Sequence, residues 1–236
     1  MISLIRILSA IYDLIIPLRC VHCGKIGLFI CENCLNGISY LEASLCPVCT
    51  RPSIDGFTHP GCRTEFSPDR LFCAFRFRGA LATSLKKLKY QNRVTAVIPT
   101  LINLLIEEMK ESDFQLGGDA IIIPVPLSAF RKFERGYNQS ELLSGELARR
   151  LGLKMESGYL ERVRETKSQT KLKELDRQLN VRGAFAVPEK YEKAITGRDI
   201  IVFDDIFTTG ATTRECSRVL KKAGARYVYI VTVAKD

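Results

Sequence analysis

Residues 200–213 read Ile-Ile-Val-Phe-Asp-Asp-Ile-Phe-Thr-Thr-Gly-Ala-Thr-Thr (IIVFDDIFTTGATT). Four consecutive apolar residues, Ile200–Phe203, suit a strand covered on both faces, as the strands of parallel α/β sheets are. Asp204 and Asp205 follow at its carboxyl end, and Thr208-Thr209-Gly210-Ala211-Thr212 then turns into a helix. Ligands of open α/β sheets bind beyond the carboxyl ends of the strands. A hydroxyl-rich turn that opens a helix offers backbone N–H groups and a positive dipole end to an anion. Two adjacent carboxylates beside such a cradle suit contact either with a divalent metal or with the hydroxyls of a sugar. The acid-ended strand of a Walker-type nucleotide hydrolase is the rival reading. It requires a GxxxxGK[ST] loop elsewhere, and the chain has none. A strand with a merely polar capping turn would not account for both acids and the threonine-rich run together.

The surroundings extend the same pattern. Leu71–Arg78 alternates like a strand, Ala80–Tyr90 and Val94–Glu111 have helical spacing, and Asp119–Val125 is an apolar strand. Gln139–Leu151 reads as a helix ended by Gly152, Thr212–Lys222 as a helix with Gly224 at its cap, and Tyr227–Val233 as a final strand. Strands alternating with helices predict an α/β domain with a mainly parallel sheet flanked by helices. The strand ending Ile121-Ile122-Ile123-Pro124-Val125 runs into Pro126-Leu127-Ser128, then Arg131, Lys132, Arg135, Gly136, Tyr137, Asn138 and Gln139. Cations beside a turn at a strand end suit a pyrophosphate; taken alone, such basic turns are common and solvated. Arg162–Gly183 breaks the alternation, being polar and highly charged. It predicts a long loop with a short helix, of the kind that often serves as a lid.

Composition changes near residue 70. Before it lie most of the nine cysteines, including three CxxC pairs, Cys20/Cys23, Cys31/Cys34 and Cys46/Cys49. Repeated close pairs read as metal knuckles rather than a disulfide framework. The first two pairs, seven residues apart, supply four thiolates suited to tetrahedral zinc. The third lacks a clean partner pair, since Glu65 stands three residues after Cys62. His59, three before Cys62, makes an HxxC that completes a second site. An interleaved pairing, Cys20/Cys23 with Cys46/Cys49, fits the spacing equally well. His22 is expected to point outward from its knuckle, and Cys73 and Cys216 fit core positions.

Hydrophobic residues make up 46% of the 236 and charged residues 26%, which supports a sizeable core and argues against disorder. The formal charge of +9 favours polyanionic partners: nucleic acid, phosphorylated metabolites or an anionic membrane surface. Between Asp69 and Glu107 no acid occurs, while Lys86, Lys87 and Lys89 cluster there with Phe75, Phe77 and Tyr90. A basic stretch with interleaved aromatics suits a single nucleic-acid strand; a solvated helix face is the plainer alternative. The start of the chain lacks a charged n-region and a cleavage site, and Ile2–Ile16 fits an amphipathic helix docked on the protein. No run is long enough to span a bilayer, so the expected location is cytoplasmic.

The motif PVPLSxxRxxxRGYNQ, the later Gly183–Phe185 (GAF) and the TTGAT turn together resemble the ComF competence-protein family, including its ComFC members. The run Leu85–Tyr90 (LKKLKY), the stretch Arg164–Gln169 and the CxxC-rich start are similar to that family as well. The resemblance covers nearly the whole chain. It implies a type I phosphoribosyltransferase fold over 71–236, preceded by a helix and a double zinc-ribbon module over 1–70. It implies a ligand, 5-phosphoribosyl-1-pyrophosphate, bound with Mg²⁺ beside structural zinc. Asp204 and Asp205 would meet the ribose hydroxyls, and Thr208, Thr209, Gly210, Ala211, Thr212 and Thr213 the 5-phosphate. Pro126, Leu127, Ser128, Arg131 and Arg135 would meet the pyrophosphate. The loop Arg164–Arg182 would close over the site, with Arg164 and Lys167 supplying cations to the leaving group. The family's association with natural transformation implies single-stranded DNA as a further partner, with a competence helicase and a membrane channel. Three functions follow: a phosphoribosyltransferase of unspecified acceptor, a strand-binding module, and a ligand sensor without turnover.

Overall fold

The computed structural model describes residues 18–89, 92–165 and 179–236. The expected helix over 2–16, the end of the LKKLKY run at Tyr90 and the middle of the 162–183 stretch, Lys167 included, lie outside the described residues.

In chain order the elements are α1 (Glu32–Asn36), β1 (Arg70–Arg76), α2 (Gly79–Leu88), α3 (Ile98–Glu111), β2 (Ile121–Pro124), α4 (Ala129–Arg135), α5 (Gln139–Leu151), β3 (Lys154–Met155), β4 (Glu161–Arg162), β5 (Phe185–Ala186), α6 (Glu189–Ile195), β6 (Asp199–Phe207), α7 (Ala211–Lys222) and β7 (Tyr227–Lys235). The main sheet has five strands in the order β1-β7-β6-β2-β3, and every pairing is parallel. β4 and β5 form a separate antiparallel pair. The α/β class with a parallel sheet and a cysteine-rich N-terminal module is therefore as the sequence predicts.

Side-chain alternation splits the core into two layers. Ile201, Phe203, Val231 and Val233 face one way, onto Leu81, Leu85, Leu101, Leu105, Leu143 and Leu147 of α2, α3 and α5. Ile200, Val202, Val228 and Ile230 face the other way, onto Ile195 of α6 and Cys216 and Leu220 of α7. This double burial is why β6 and β7 read as continuous apolar runs.

Element boundaries follow local chemistry. The helical pattern from Val94 resolves into a 3₁₀ segment over Asn92–Val97 and then α3, whose first turn holds Pro99. Proline there lacks an N–H that would have no partner anyway. Asn138 caps α5 by accepting from the Ser140 N–H at 3.1 Å, and α5 ends at Gly152 with φ of 67°. The short elements α4, α6, β3, β4 and β5 carry too little periodicity to be read from sequence.

The N-terminal module is built onto the sheet. The Leu41 N–H donates to Ala74 O and the Arg76 N–H to Ser39 O, both at 2.8 Å, along the outer edge of β1. An exposed edge strand invites unwanted pairing, and this segment covers it. Val21, Ile30 and Ile38 belong to the same core layer as Phe75 and Leu85.

Phe203 is fully buried at the centre of that layer. Phe203→Ala is expected to cost about 3–5 kcal/mol, read as a lower urea midpoint with an unchanged slope.

Candidate functional site

The carboxyl ends of β2 and β6 face a cleft of about 790 Å³. Its walls bring together the two segments that sequence reading singled out. From the β2 side come Pro126, Leu127, Ser128, Arg131 and Arg135; from the β6 side Asp204, Asp205, Thr208, Gly210, Ala211, Thr212 and Thr213. Thr209 does not line the cleft, and its buried hydroxyl has no hydrogen-bond partner within the protein.

Several motif residues turn out to hold the backbone in place. The Ser128 hydroxyl caps α4 by accepting from the Arg131 N–H at 3.4 Å. The Asn138 amide donates to Val125 O at 3.0 Å, tying the GYNQ segment to the end of β2. The Tyr137 hydroxyl donates to Leu88 O at the end of α2. Gly136 ends α4 with φ of 75°, a conformation that costs other residues a Cβ clash. The spacing of the Arg-Gly-Tyr-Asn-Gln run is thus set by one helix ending and another beginning. Arg135 donates to Gln139 Oε1 at 3.0 Å, and Gln139 Nε2 is buried without a partner at the cleft wall.

The acidic pair is held by two neighbours, Ser140 and Lys89, and by a bond within the pair. Asp204 Oδ1 accepts from the Ser140 hydroxyl at 3.0 Å and from the Asp205 N–H at 2.9 Å. Asp205 pairs with Lys89 Nζ at 2.7 Å. Burial, and then the neighbouring Asp205 charge, push the Asp204 carboxyl up to about 7, against the opposing pull of Lys89 and Ser140. Ser140 carries no signal of its own in the sequence, because serine in the first turn of a helix reads as an ordinary capping position.

The three lysines expected to hold nucleic acid part company. Lys86 and Lys89 line the cleft, with Lys86 Nζ 5.5 Å from the centre of the Phe77 ring. Lys87 instead donates to Val21 O at 2.7 Å, fastening the first knuckle to α2. Phe75 is fully buried, so it is core rather than a stacking surface. Arg164 instead donates to two backbone carbonyls, Asn180 O at 2.9 Å and Arg182 O at 2.7 Å. Among the described arginines of the 162–183 stretch, the one lining the cleft is Arg162, 5.4 Å above Phe185 of the GAF segment. Gly183 of that segment donates its N–H to Glu215 Oε1 at 2.7 Å, anchoring the returning chain on α7.

The metal-ligand residues form two sets, Cys20/Cys23/Cys31/Cys34 and Cys46/Cys49/His59/Cys62, each with ligand atoms within 4.8 Å of one another. The pairing is therefore sequential, and the HxxC completes the second set. His59 turns Nδ1 to Cys49 Sγ at 3.3 Å and donates Nε2–H to Pro52 O at 3.0 Å, the usual way of fixing a ligating histidine's tautomer. Burial raises the Cys20 thiol, but N–H donors from Cys23, Cys31 and His22 outweigh it and lower it to about 6. Burial and the neighbouring sulfurs push Cys34 up to about 12. Four crowded thiols of this kind release their protons together only when a cation takes their place. Both donor sets fit structural zinc. His22 sits outside its set, with Nδ1 2.9 Å from Thr83 Oγ1 on α2. Cys73 and Cys216 stand apart from both sets.

Comparison with known proteins agrees with this geometry. The family model of the double zinc ribbon domain matches residues 11–64. Competence protein F of Haemophilus influenzae is 30% identical over 227 residues, covering 92% of this chain and 96% of that one. The chain belongs to the ComF family. It is also similar to the DNA utilization protein YhgH of Salmonella typhimurium, 31% identical over 224 residues and covering 91% of each chain. Competence protein ComFC of Bacillus subtilis is 25% identical over 207 residues, covering 83% of this chain and 79% of that one. Among the described residues of this ComF-family chain, no helix is long and apolar enough to cross a membrane.

Two predictions follow from the site. Metal analysis of the native protein is expected to give two zinc ions per chain, falling to one in His59→Ala. The raised Asp204 carboxyl keeps its proton in the folded state up to about 7, whereas an unfolded aspartate loses it near 3.8. Its contribution to stability is therefore full below the lower value and is lost as pH rises through the upper one. Asp204→Asn is expected to raise Tm at pH 8 and to raise it less at pH 5, as measured by thermal melts at both values.

Proposed function

We propose that this chain serves DNA utilization through a site for 5-phosphoribosyl-1-pyrophosphate, with a zinc-binding unit over 1–70 and a transferase-type unit over 71–236. One observation carries the reading: a strand-end pair of carboxylates, Asp204 and Asp205, shares a single cleft with a left-handed Gly210 turn opening α7 and with the capped Pro126–Ser128 turn. The names of the relatives, competence proteins and DNA utilization proteins, supply the cellular setting.

In this reading the N–H groups of the Gly210 turn and the dipole of α7 hold the 5-phosphate, with the hydroxyls of Thr208 and Thr212 as further donors, while the Thr213 hydroxyl, donating to Gly210 O, braces the turn itself. Asp204 and Asp205 accept from the ribose 2′- and 3′-hydroxyls. Arg131 and Arg135, at the Pro126-Leu127-Ser128 turn, face the pyrophosphate. The all-oxygen character of the acidic pair and of the ligand suits Mg²⁺, which would neutralise the leaving pyrophosphate. Lys89 already balances Asp205, so ligand binding exchanges that ion pair for hydroxyl and metal contacts. Pentosyl transfer at such a site breaks the bond between C1 and the pyrophosphate oxygen, whose electron pair leaves with pyrophosphate, while a lone pair of the acceptor's nucleophilic atom forms the new bond to C1. The protein contributes position and charge.

A second reading, single-strand binding, is favoured by one feature. Phe130 and Phe133 of α4 are 67% and 90% exposed beside the cationic rim of the cleft, where bases could stack. It predicts that strand affinity falls steeply with salt and that Lys86→Ala reduces the salt slope by about one.

The primary reading is tested by calorimetric titration of 5-phosphoribosyl-1-pyrophosphate with Mg²⁺ into zinc-loaded protein. Micromolar binding, abolished in Asp204→Asn/Asp205→Asn, is the expected result. No binding to folded wild-type protein would refute it.

A further inference from the structure

The second metal-ligand set lies directly beneath the anion-binding turn. Gly210 has φ of 73°, and a Cβ built there would stand 2.9 Å from Pro47 O and 2.7 Å from Phe207 Cζ. Pro47 and Val48 are the two residues between the ligands Cys46 and Cys49. The Val48 carbonyl accepts a hydrogen bond from Arg214 Nη1 in the first turn of α7. Phe66 O, just beyond the ligand Cys62, accepts from the Ser217 hydroxyl at 3.1 Å. On the other side of the turn, the Thr213 hydroxyl donates to Gly210 O at 3.1 Å and Gly183 is held by Glu215. The first metal-ligand set touches other parts of the fold: its Val21 and His22 dock on Lys87 and Thr83 of α2.

The direction of the Pro47 and Val48 carbonyls is a property of the knuckle. One metal ion shared by Cys46, Cys49, His59 and Cys62 would hold it, and separation of the four ligands would leave the knuckle's backbone bonds, Cys46 N–H to Arg51 O and Thr50 N–H to Cys46 O, to do so. Gly210 approaches Pro47 O more closely than a side chain would permit, so a shift of the knuckle is transmitted to the turn by contact. Arg214 and Ser217 carry the same shift into the helix whose N-terminus faces the cleft.

We propose that metal occupancy of the Cys46/Cys49/His59/Cys62 set controls anion binding at the Thr208–Thr213 turn, and that the Cys20/Cys23/Cys31/Cys34 set takes no part in this control. The proposal rests on reading that turn as a phosphate site. Linkage then requires reciprocity: if zinc tightens the phosphate, the phosphate tightens that zinc by the same factor. Couplings of this kind are typically about 5- to 150-fold.

The test uses the full, zinc-loaded chain and ribose 5-phosphate, a phosphate ester that competes weakly for zinc. Competition with a chromogenic chelator is run with and without saturating ribose 5-phosphate. One of the two zinc ions is expected to be held about tenfold more tightly with the ester, while the other is unchanged. Cys62→Ser should remove the responsive zinc and weaken ribose 5-phosphate by a matching factor. Amide resonances of Gly210 and Ala211 should move in that variant. Arg214→Ala should keep both zinc ions and lose much of the reciprocal effect. This variant keeps the question decidable should Cys62→Ser fail to fold. Equal response of both zinc ions, no response of either in protein that binds the ester, or unmoved Gly210 resonances on loss of the second zinc would overturn the proposal. Wild-type protein that does not bind the ester would refute the phosphate reading alone. The Gly210 resonances would then still decide whether metal and turn are coupled.

Discussion

Strand β6 is held between two core layers, and that double burial places everything the site needs. Ile200 and Val202 are locked against α6 and α7, Ile201 and Phe203 against α2, α3 and α5. A slip of one residue would exchange the two faces, so the register with β2 and β7 is strongly specified. Because it is, Asp204 and Asp205 emerge at the carboxyl edge of the sheet beside the end of β2. Their side chains then meet Ser140 of α5 and Lys89 just past the end of α2. The cleft is a consequence of strand order, since parallel neighbours bring both turn-forming ends to the same side.

Electrostatics at that edge is balanced by construction. Burial first, and then repulsion from the adjacent Asp205, lead Asp204 to hold its proton to about 7. Lys89 takes the remaining charge on Asp205. The charge of the acidic pair is thus largely balanced within the cleft wall itself. Arg162, brought in over Phe185 by the β4–β5 pair, adds a further cation to the cleft lining. Sites of this kind commonly hold a destabilising group whose environment is fixed by the rest of the fold.

The cysteine-rich module does structural work in two directions. It covers the outer edge of β1 through Ser39 and Leu41, and it supports the Gly210 turn through Pro47 and Val48. Its apolar residues Val21, Ile30 and Ile38 merge with the main core. A module so small has little hydrophobic area of its own, and metal ligation supplies the rigidity that area cannot.

Much of this protein is legible in its residues because the signals are local. Continuous apolar runs reveal the buried strands, glycines after Leu151 and before Ala211 mark helix ends and starts, and CxxC spacing reveals metal knuckles. The acidic pair followed by the threonine-rich turn marks the edge of the sheet that lines the cleft, and the combined motifs identify the family. What lay beyond the sequence are the relations between distant segments. The sequential pairing of the two metal sets, the diversion of Lys87 to Val21, and the place of Arg162 rather than Arg164 on the cleft wall are examples. So are the meeting of Ser140 with Asp204 and of Pro47 with Gly210, residues far apart in the chain. Hydrogen bonds and close packing between such residues depend on strand order and helix placement, which no local pattern encodes. The sequence alone determined the chemistry that was available, and the tertiary structure decided which groups would meet.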